Sequence, residues 1–206
     1  MQVWLGRRQR TLALAIFAVY AGLAVQHPAS ALADEDADLP RVVVAAGPTW
    51  GYLFGYYGFT NKSSLGVAGS VAIKAWGRFY GVGRYAYQDL PSYNKVDVNP
   101  SYVANNGSAG LRYYVRNDNY SSTQHTILFF TEAMLGYSVL LRPANQPNGP
   151  TLHGPNARIG FGAAINLHRY VALGVSAGYL LGLLNEKQDI GALQIFDATG
   201  FLQVQF

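Results

Sequence analysis

The sequence of 206 residues contains no cysteine. This absence excludes a disulfide-stabilised scaffold, a zinc–thiolate site and a cysteine nucleophile. Charged residues are also scarce, at 13% of the chain, whereas about a quarter of the residues in a soluble domain are charged. Glycine and aromatic residues are abundant instead, with 23 Gly, 15 Tyr and 10 Phe. This balance is unusual for a soluble enzyme, and the length suits a single domain.

The first 33 residues have the pattern of a secretory signal peptide. A cluster of three arginines precedes an uncharged apolar run over 11–25, and small residues then lead to an A-x-A-like cleavage site. The arginines are Arg7, Arg8 and Arg10. A membrane-spanning helix requires about 20 apolar residues, so the shorter run favours cleavage over a retained anchor. Ala31 and Ala33 form the cleavage site, and Asp34 is predicted to become the first residue.

Removal of this segment changes the charge of the protein. Taking 33 residues from 206 leaves 173, and the loss of three arginines leaves 12 basic and 11 acidic residues, a net charge of +1. The net charge of +4 for the whole sequence therefore belongs mostly to the export signal. No basic patch remains that would favour nucleic-acid binding. Residues 34–40 are predicted to form a short periplasmic lead, and 41–206 the folded domain.

Beyond residue 40, apolar residues recur at every second position, and clusters of Asn, Pro, Gly, Ser and Asp interrupt them. In the segment 157–167, Ile, Phe and Leu at most odd positions alternate with Arg, Gly, Ala and Asn at even positions. Most segments reach the about 9–11 residues with which a tilted strand crosses a bilayer. Eight strands are predicted, over 41–55, 64–76, 79–90, 102–115, 126–142, 156–168, 170–184 and 194–206.

The composition of the two strand faces indicates which face lies inside the barrel. The less apolar face consists largely of Gly, Ala and Ser, with at most one charge per strand. Such a face is a poor water-exposed surface, but its small residues suit the narrow interior of an eight-stranded barrel. The fold predicted is all-β, an eight-stranded antiparallel up-and-down transmembrane β-barrel with its bulky face toward lipid. A soluble lipocalin-like barrel, with the bulky face inside, is the alternative.

The connections between strands give a second indication. Outer-membrane barrels have short periplasmic turns and longer external loops. Tight turns are predicted at 77–78 and 168–169, on the periplasmic side. The segments 89–101, 143–155 and 185–193 are polar and long, and are predicted to be external loops. Aromatic residues cluster near both predicted ends of the strands, as expected at the two membrane interfaces. They are Tyr52, Phe54, Tyr56, Tyr57 and Phe59 on one side and Trp76, Phe79, Tyr80 and Tyr170 on the other.

The last strand carries a recognisable pattern. The chain ends in Phe206, with the apolar Val204 and Leu202 at alternate positions before it. This pattern resembles the closing strand of Gram-negative outer-membrane proteins, where it is the recognition signal for the barrel-assembly machinery. With the signal peptide and eight strands, the mature chain is similar to the small outer-membrane β-barrel superfamily, which includes the outer membrane protein A transmembrane domain and opacity-type adhesins.

This resemblance implies a location and a set of partners. The protein is expected to be a monomer, integral to the bacterial outer membrane and exported through its cleaved signal peptide. Outer-membrane lipid, lipopolysaccharide and the barrel-assembly machinery are the partners that the resemblance implies. The external loops are the expected place for any external ligand, whose identity stays open.

No catalytic, metal or cofactor site is expected from the residues. His125, His153 and His168 are assigned to connections, and none lies beside a Ser and an acid at catalytic spacing. The His-x-Ser-Asn motif of outer-membrane lipid A deacylases is missing, which disfavours a lipid A-modifying enzyme. No cluster of His, Asp and Glu has the spacing of metal ligands.

One group of charged residues is predicted to lie inside the barrel. Glu132 lies in the middle of a strand on the small-residue face, and Arg158 is expected at a similar level on the next strand. Arg84 and Arg112 share this inward face on nearby strands. A buried carboxylate needs such partners to offset its lost hydration. The cluster is interpreted as a plug, with a gate or ion path as the alternative, because eight strands leave little lumen.

These observations favour a non-enzymatic outer-membrane barrel with a structural or surface-interaction, adhesin-like role. The alternative is a narrow pore or a transport route for small or hydrophobic molecules across the outer membrane.

Overall fold

The computed structural model describes residues 39–55, 62–90, 102–115, 126–141, 151–186 and 189–206. Contacts divide the chain into residues 1–37 and 38–206, and the description concerns the second unit. The predicted signal peptide, with Ala31 and Ala33, lies outside the described residues, as do Asp34 and His125. Within the described ranges, no α-helix is long and apolar enough to cross a membrane.

Eight antiparallel strands form a closed barrel, in which neighbours in sequence are neighbours in the sheet. β1 also pairs with β8, which closes the barrel. The strands are β1 (Val42–Gly55), β2 (Lys62–Trp76), β3 (Phe79–Leu90), β4 (Tyr102–Tyr114), β5 (Ile127–Leu141), β6 (Leu152–His168), β7 (Val171–Glu186) and β8 (Asp189–Gln205). The predicted all-β, up-and-down barrel of eight strands is therefore confirmed.

The strand bounds agree with the sequence in β1 to β5 and in β7, to within two residues, and differ at the starts of β6 and β8. β6 begins four residues earlier than predicted, and β8 five residues earlier. The prediction of a long connection over 185–193 was wrong, because only 187–188 separate β7 from β8. Backbone pairing continues through these polar residues, and Glu186 lies opposite Asp189. The hydrogen bonds between strands join backbone groups, so polar side chains do not end the pairing.

The two ends of the barrel differ, and we name them by their connections. At the turn end, two-residue turns at 77–78 and 169–170 join β2 to β3 and β6 to β7. Gly77 has φ +52°, a conformation that glycine adopts without steric cost. The C-terminal residue, Phe206, also lies at the turn end, because its carbonyl oxygen accepts hydrogen bonds from the amides of Arg41 and Val42, at 2.6 and 3.1 Å. The opposite end is the loop end.

Bulky residues cover the outside of the barrel. Leu135 is 73% exposed, Ile159 64% and Val175 64%, and their neighbours along each strand point inward. The faces therefore have the predicted orientation, and the lipocalin-like alternative with bulky residues inside is contradicted. Because period-two alternation fixes the side chains of a strand once one is placed, the orientation holds along each strand as far as the register irregularities between Lys74 and Trp76 and between Asn166 and His168.

Exposed aromatic side chains lie near both ends of the strands. At the turn end, the Trp76 and Phe79 rings stack with centroids 6.1 Å apart, and Phe79 contacts Tyr113 at 4.9 Å. At the loop end, Tyr52 and Phe54 meet edge to face at 4.9 Å. Tyr80, predicted as a member of the turn-end group, is instead fully buried inside the barrel, where its hydroxyl donates to the Pro40 carbonyl oxygen. Tyr56, Tyr57 and Phe59 lie outside the described residues.

The barrel interior contains two apolar clusters, one toward each end. The turn-end cluster includes Leu39, from the predicted lead, and the inward aromatic residues Tyr80, Tyr114, Phe130 and Phe201. The loop-end cluster consists of aliphatic residues: Leu53, Leu90, Ala104, Leu140, Leu152, Leu180, Leu184, Leu193 and Ile195. The interior thus holds more large apolar side chains than the predicted Gly, Ala and Ser face.

Candidate functional site

Five charged side chains from five strands meet between the two apolar clusters. They form one series of contacts in which cations and anions alternate: Arg112 (β4), Glu132 (β5), Arg158 (β6), Asp197 (β8) and Arg84 (β3). We call these five residues the ion-pair network. On each of the five strands, the charged residue lies between a member of the turn-end cluster and a member of the loop-end cluster.

Glu132 accepts hydrogen bonds from two guanidinium groups. Arg112 donates from Nε and Nη2 to Glu132 Oε2, at 3.1 and 2.9 Å. Arg158 Nη1 donates to the other oxygen, Oε1. Arg112 stands directly opposite Glu132 in the β4–β5 register, and its guanidinium also lies 4.2 Å from the centroid of the Phe130 ring. Both oxygens of this carboxylate therefore have a cationic donor.

Asp197 is the second carboxylate of the network. Arg158 donates from Nε to Asp197 Oδ2 at 2.9 Å and from Nη2 to Oδ1 at 2.8 Å, a bidentate pair. Arg84 Nη2 donates to the same Oδ1 at 3.0 Å and to Thr199 Oγ1 at 3.1 Å. Bidentate arginine–carboxylate contacts are strong and geometrically specific. Arg158 therefore links the two carboxylates and is the centre of the network.

The network is buried, so its members depend on one another. The Arg158 side chain is 1% exposed, and that of Glu132 is 2% exposed. Burial of an ion pair is costly, and its mutual attraction does not always exceed that cost. Removal of a single partner, however, leaves a buried charge uncompensated and costs about 3–5 kcal/mol. The arrangement is therefore stable only as a complete set.

Glycines on the inward face provide the space for these large side chains. A methyl group at Gly178 would overlap the Arg158 guanidinium, and one at Gly160 would lie 2.7 Å from Arg158 Nη1. In the same way, Gly162 receives the Phe130 ring, and Gly174 receives the ring of Phe201. The small residues that the sequence shows on this face thus leave room for large residues on the adjacent strands.

The structure brings the four residues singled out from the sequence into one network. Arg84, Arg112, Glu132 and Arg158 all point inward and are linked by ion pairs. The sequence reasoning missed Asp197, which holds Arg158 and Arg84 together. A signal was present, because the outward position of Leu202 and the strict alternation of β8 place residue 197 on the inward face.

The residues of the predicted assembly signal, and the two described histidines that were assigned to connections, lie on the outside. Leu202 and Val204 are exposed on β8, and Phe206 is 65% exposed at the turn end. His168 is exposed at the end of β6, where its Nδ1 accepts a hydrogen bond from the Tyr170 amide. His153, predicted in an external loop, is instead an exposed residue of β6 whose Nδ1 lies 2.6 Å from the Tyr137 hydroxyl oxygen. Across the described ranges, no group of three His, Asp or Glu could hold a metal ion.

The closed, eight-stranded antiparallel barrel is the fold of the small outer-membrane β-barrels. Neisserial surface protein A is similar, with a TM-score of 0.61 and 11% identity over 80% of this chain and 97% of that chain. The outer membrane protein OprG from Pseudomonas aeruginosa is similar with a TM-score of 0.54 and 8% identity, over 82% of this chain and 97% of that chain. The sequence matches no family model and no curated protein. At these identities the similarity concerns the fold.

Proposed function

We propose that the protein is a non-enzymatic, integral outer-membrane barrel with a closed interior and a structural or surface-interaction, adhesin-like role. The observation that carries this proposal is the filled interior, in which the ion-pair network lies between two apolar clusters. A barrel of eight strands is just wide enough for side chains to fill. The proposal therefore assigns contact with other molecules to the outer surface and the loops.

The outer surface supports the membrane location. Exposed Leu, Ile, Val and Phe side chains cover the strands, and contiguous apolar surface of this extent is rare on soluble monomers. The closed sheet leaves no unpaired strand edge, whose exposed backbone groups would be costly in hydrocarbon. Lipid and the acyl chains of lipopolysaccharide are the proposed contacts of this surface, and the exposed aromatic residues at both ends the contacts with the interfaces.

Export and assembly form part of the same proposal. Cleavage between Ala33 and Asp34 would release a mature chain whose lead, 34–40, precedes the barrel. The last strand, with Leu202, Val204 and Phe206, is the proposed recognition signal for the assembly machinery. Since Leu202 and Val204 lie on the outer face and Phe206 at the turn end, their side chains are accessible in the folded barrel.

The alternative is a narrow pore, because charged residues at membrane depth often mark ion paths. Two observations count against it. Arg158 and Glu132 are almost fully buried, and Leu140, Leu184 and Leu193 fill the interior on the loop side of the network. An ion would have to displace both an apolar cluster and the bonds of the network.

Planar-bilayer recordings of the purified, refolded protein test the closed interior. Gel mobility shows that the barrel is folded, and an open porin serves as the insertion control. We expect no steady current from this protein under conditions in which the porin conducts. A reproducible single-channel conductance would contradict the closed interior and favour the pore.

The surface-interaction role requires a separate test, since the loops at 56–61, 91–101 and 142–150 lie outside the described residues. Cells displaying the wild-type barrel are compared with cells displaying a variant in which 91–101 and 142–150 are replaced by Gly-Ser linkers of equal length. Equal surface expression is the control. Attachment to extracellular matrix or host cells should fall in the variant, and unchanged attachment would leave only a structural role.

A further inference from the structure

The ion-pair network has more positive than negative charge. Its three guanidinium groups, Arg84, Arg112 and Arg158, face only two carboxylates. Each carboxylate is already shared between two arginines, so neither is available to balance the third cation. Among the described residues that form the network, a net charge of +1 therefore remains between the two apolar clusters, where an unbalanced charge is costly.

The surplus charge lies at the ends of the network. Arg158, in the centre, contacts both carboxylates of the network, whereas Arg112 contacts one of them, Glu132. Arg84 contacts Asp197 through a single nitrogen, and this nitrogen also donates to the Thr199 hydroxyl group. A guanidinium group has five N–H donors, so both terminal arginines have donors beyond those that their carboxylates accept.

Two small cavities border Arg84, each with a volume of about 10 Å³. This volume is near the minimum that a single water molecule needs. The first cavity is lined by the Asp197 carboxylate and by two buried amides, Gln88 and Asn106. Gln88 Nε2 and Asn106 Oδ1 have no hydrogen-bond partner among the protein atoms. A water molecule can accept from the first and donate to the second, so this cavity suits water.

The second cavity has a different lining. It lies between the two terminal arginines, Arg84 and Arg112, and is also bordered by Ser70, Ser176 and Thr199. No carboxylate lines it, and its other neighbours are Ala45, Ala68, Gly69 and Phe201. Two guanidinium groups and three hydroxyl groups thus surround a space of atomic size. Since guanidinium nitrogens only donate hydrogen bonds, the cavity favours an acceptor that carries negative charge.

We propose that this second cavity binds one small monovalent anion, of the size of chloride. The anion balances the surplus charge of the network and accepts hydrogen bonds from Arg84, Arg112 and the hydroxyl groups of Ser70 and Ser176, since the Thr199 hydroxyl group already donates to Thr49 Oγ1. It completes the alternation of charge, because it lies between the two terminal cations. The cavity volume, near that of one water molecule, leaves space for a single monatomic ligand at most and excludes polyatomic anions such as sulfate or phosphate.

The stability of the refolded barrel in detergent tests this inference. Thermal unfolding is measured in sodium chloride or bromide and in sodium gluconate of equal ionic strength. Because a ligand that binds only the folded state raises the unfolding midpoint, the midpoint should rise with halide concentration and saturate, and should not do so with gluconate. Equal midpoints in the two salts would overturn the proposal.

Two variants link the effect to the cavity. Arg84→Gln leaves two cations and two anions in the network, so the halide dependence should disappear, whatever the absolute midpoint. Arg169→Gln removes an exposed cation at the turn end and should keep the halide dependence of the wild type. Loss of the dependence in both variants, or in neither, would contradict the assignment to the cavity.

Crystals grown in bromide provide a test that does not depend on any variant folding. Anomalous scattering should show a bromide peak between the Arg84 and Arg112 guanidinium groups. A cavity with no anomalous peak, or with density of water only, would refute the proposal. A peak without a halide-dependent midpoint would indicate an adventitious ion only and would also count against it.

Discussion

Glu132→Ala is the substitution that tests the ion-pair network most directly. Glu132 is the sole carboxylate bonded to Arg112 within the network and one of two bonded to Arg158. The substitution leaves three guanidinium groups and one carboxylate in the barrel interior. Arg112 would then lose both of its hydrogen bonds to the carboxylate and would stay buried next to the Phe130 ring.

The expected cost follows from this loss of pairing. Breaking a buried ion pair by removal of one partner costs about 3–5 kcal/mol, and Glu132 pairs with two cations, so we expect the upper part of this range. Domains are stable by about 5–15 kcal/mol, so the variant should retain the fold under mild conditions but lose much of its margin. Glu132→Gln keeps the shape and one acceptor, and should cost less than Glu132→Ala.

Urea unfolding in lipid vesicles measures these differences. Trp50 and Trp76 are exposed on the outer face, so their fluorescence reports loss of the barrel from lipid, and the heat-modifiable gel shift provides an independent probe. Asp89→Ala, at an exposed acidic position near the loop end, is the control and should change the free energy of unfolding by at most about 0.5 kcal/mol. If Glu132→Ala unfolds at the same urea concentration as this control, Glu132 is not a structural partner of the arginines.

Three further pairs of variants test the interior packing and the pairing of β1 with the C-terminal residue. Gly178→Ala crowds the Arg158 guanidinium and should lower the free energy of unfolding by about 1–3 kcal/mol through overpacking. Gly81→Ala, where a methyl group meets nothing within 4 Å, is the control and should be nearly neutral in urea unfolding. Equal costs would contradict the conclusion that Gly178 makes room for Arg158. Phe130→Ala, inside the barrel, should cost about 3–5 kcal/mol, and more than Phe129→Ala on the outer face, where acyl chains refill the space. Deletion of Phe206 removes the backbone hydrogen bonds to residues 41 and 42 and should impair refolding in vitro. Phe206→Ala keeps these hydrogen bonds and should impair assembly only in cells. Efficient assembly of Phe206→Ala in cells would show that the assembly machinery does not recognise the Phe206 ring.

The fold could be predicted from the sequence because one local signal repeats. Alternation with a period of two residues defines both the strand and its two faces, and the composition of these faces indicated which one lies inside. The inward positions of Glu132 and Arg158 followed from this alternation alone. Their pairing followed from the high cost of a buried charge without a partner.

The parts that could not be predicted depend on long-range pairing. Asp197 belongs to the last strand, and its contact with Arg84 joins residues that are far apart in sequence and not on neighbouring strands. The start of β6 was missed because Gly154 and Pro155 resemble a loop, although the backbone register opposite β5 continues through them. Several leucines of the loop-end cluster, such as Leu140 and Leu180, were missed because both of their neighbours in sequence are apolar, so the alternation between the two faces is hidden there.

The abundance of glycine and the buried network have a common origin in the width of the barrel. An interior of eight strands cannot hold eight large side chains at one level, so some of the large residues lie beside a glycine on the adjacent strand. Phe130 stands opposite Gly162, and Phe201 opposite Gly174, as direct partners in the register. The same rule places Gly178 beside Asp197, where it admits the Arg158 guanidinium. A methyl group at Gly162, Gly174 or Gly178 would overlap the Phe130 ring, the Phe201 ring or the Arg158 guanidinium. The glycines therefore make room for the large side chains that close the interior, and loss of one of them would displace the large residue that fills its space.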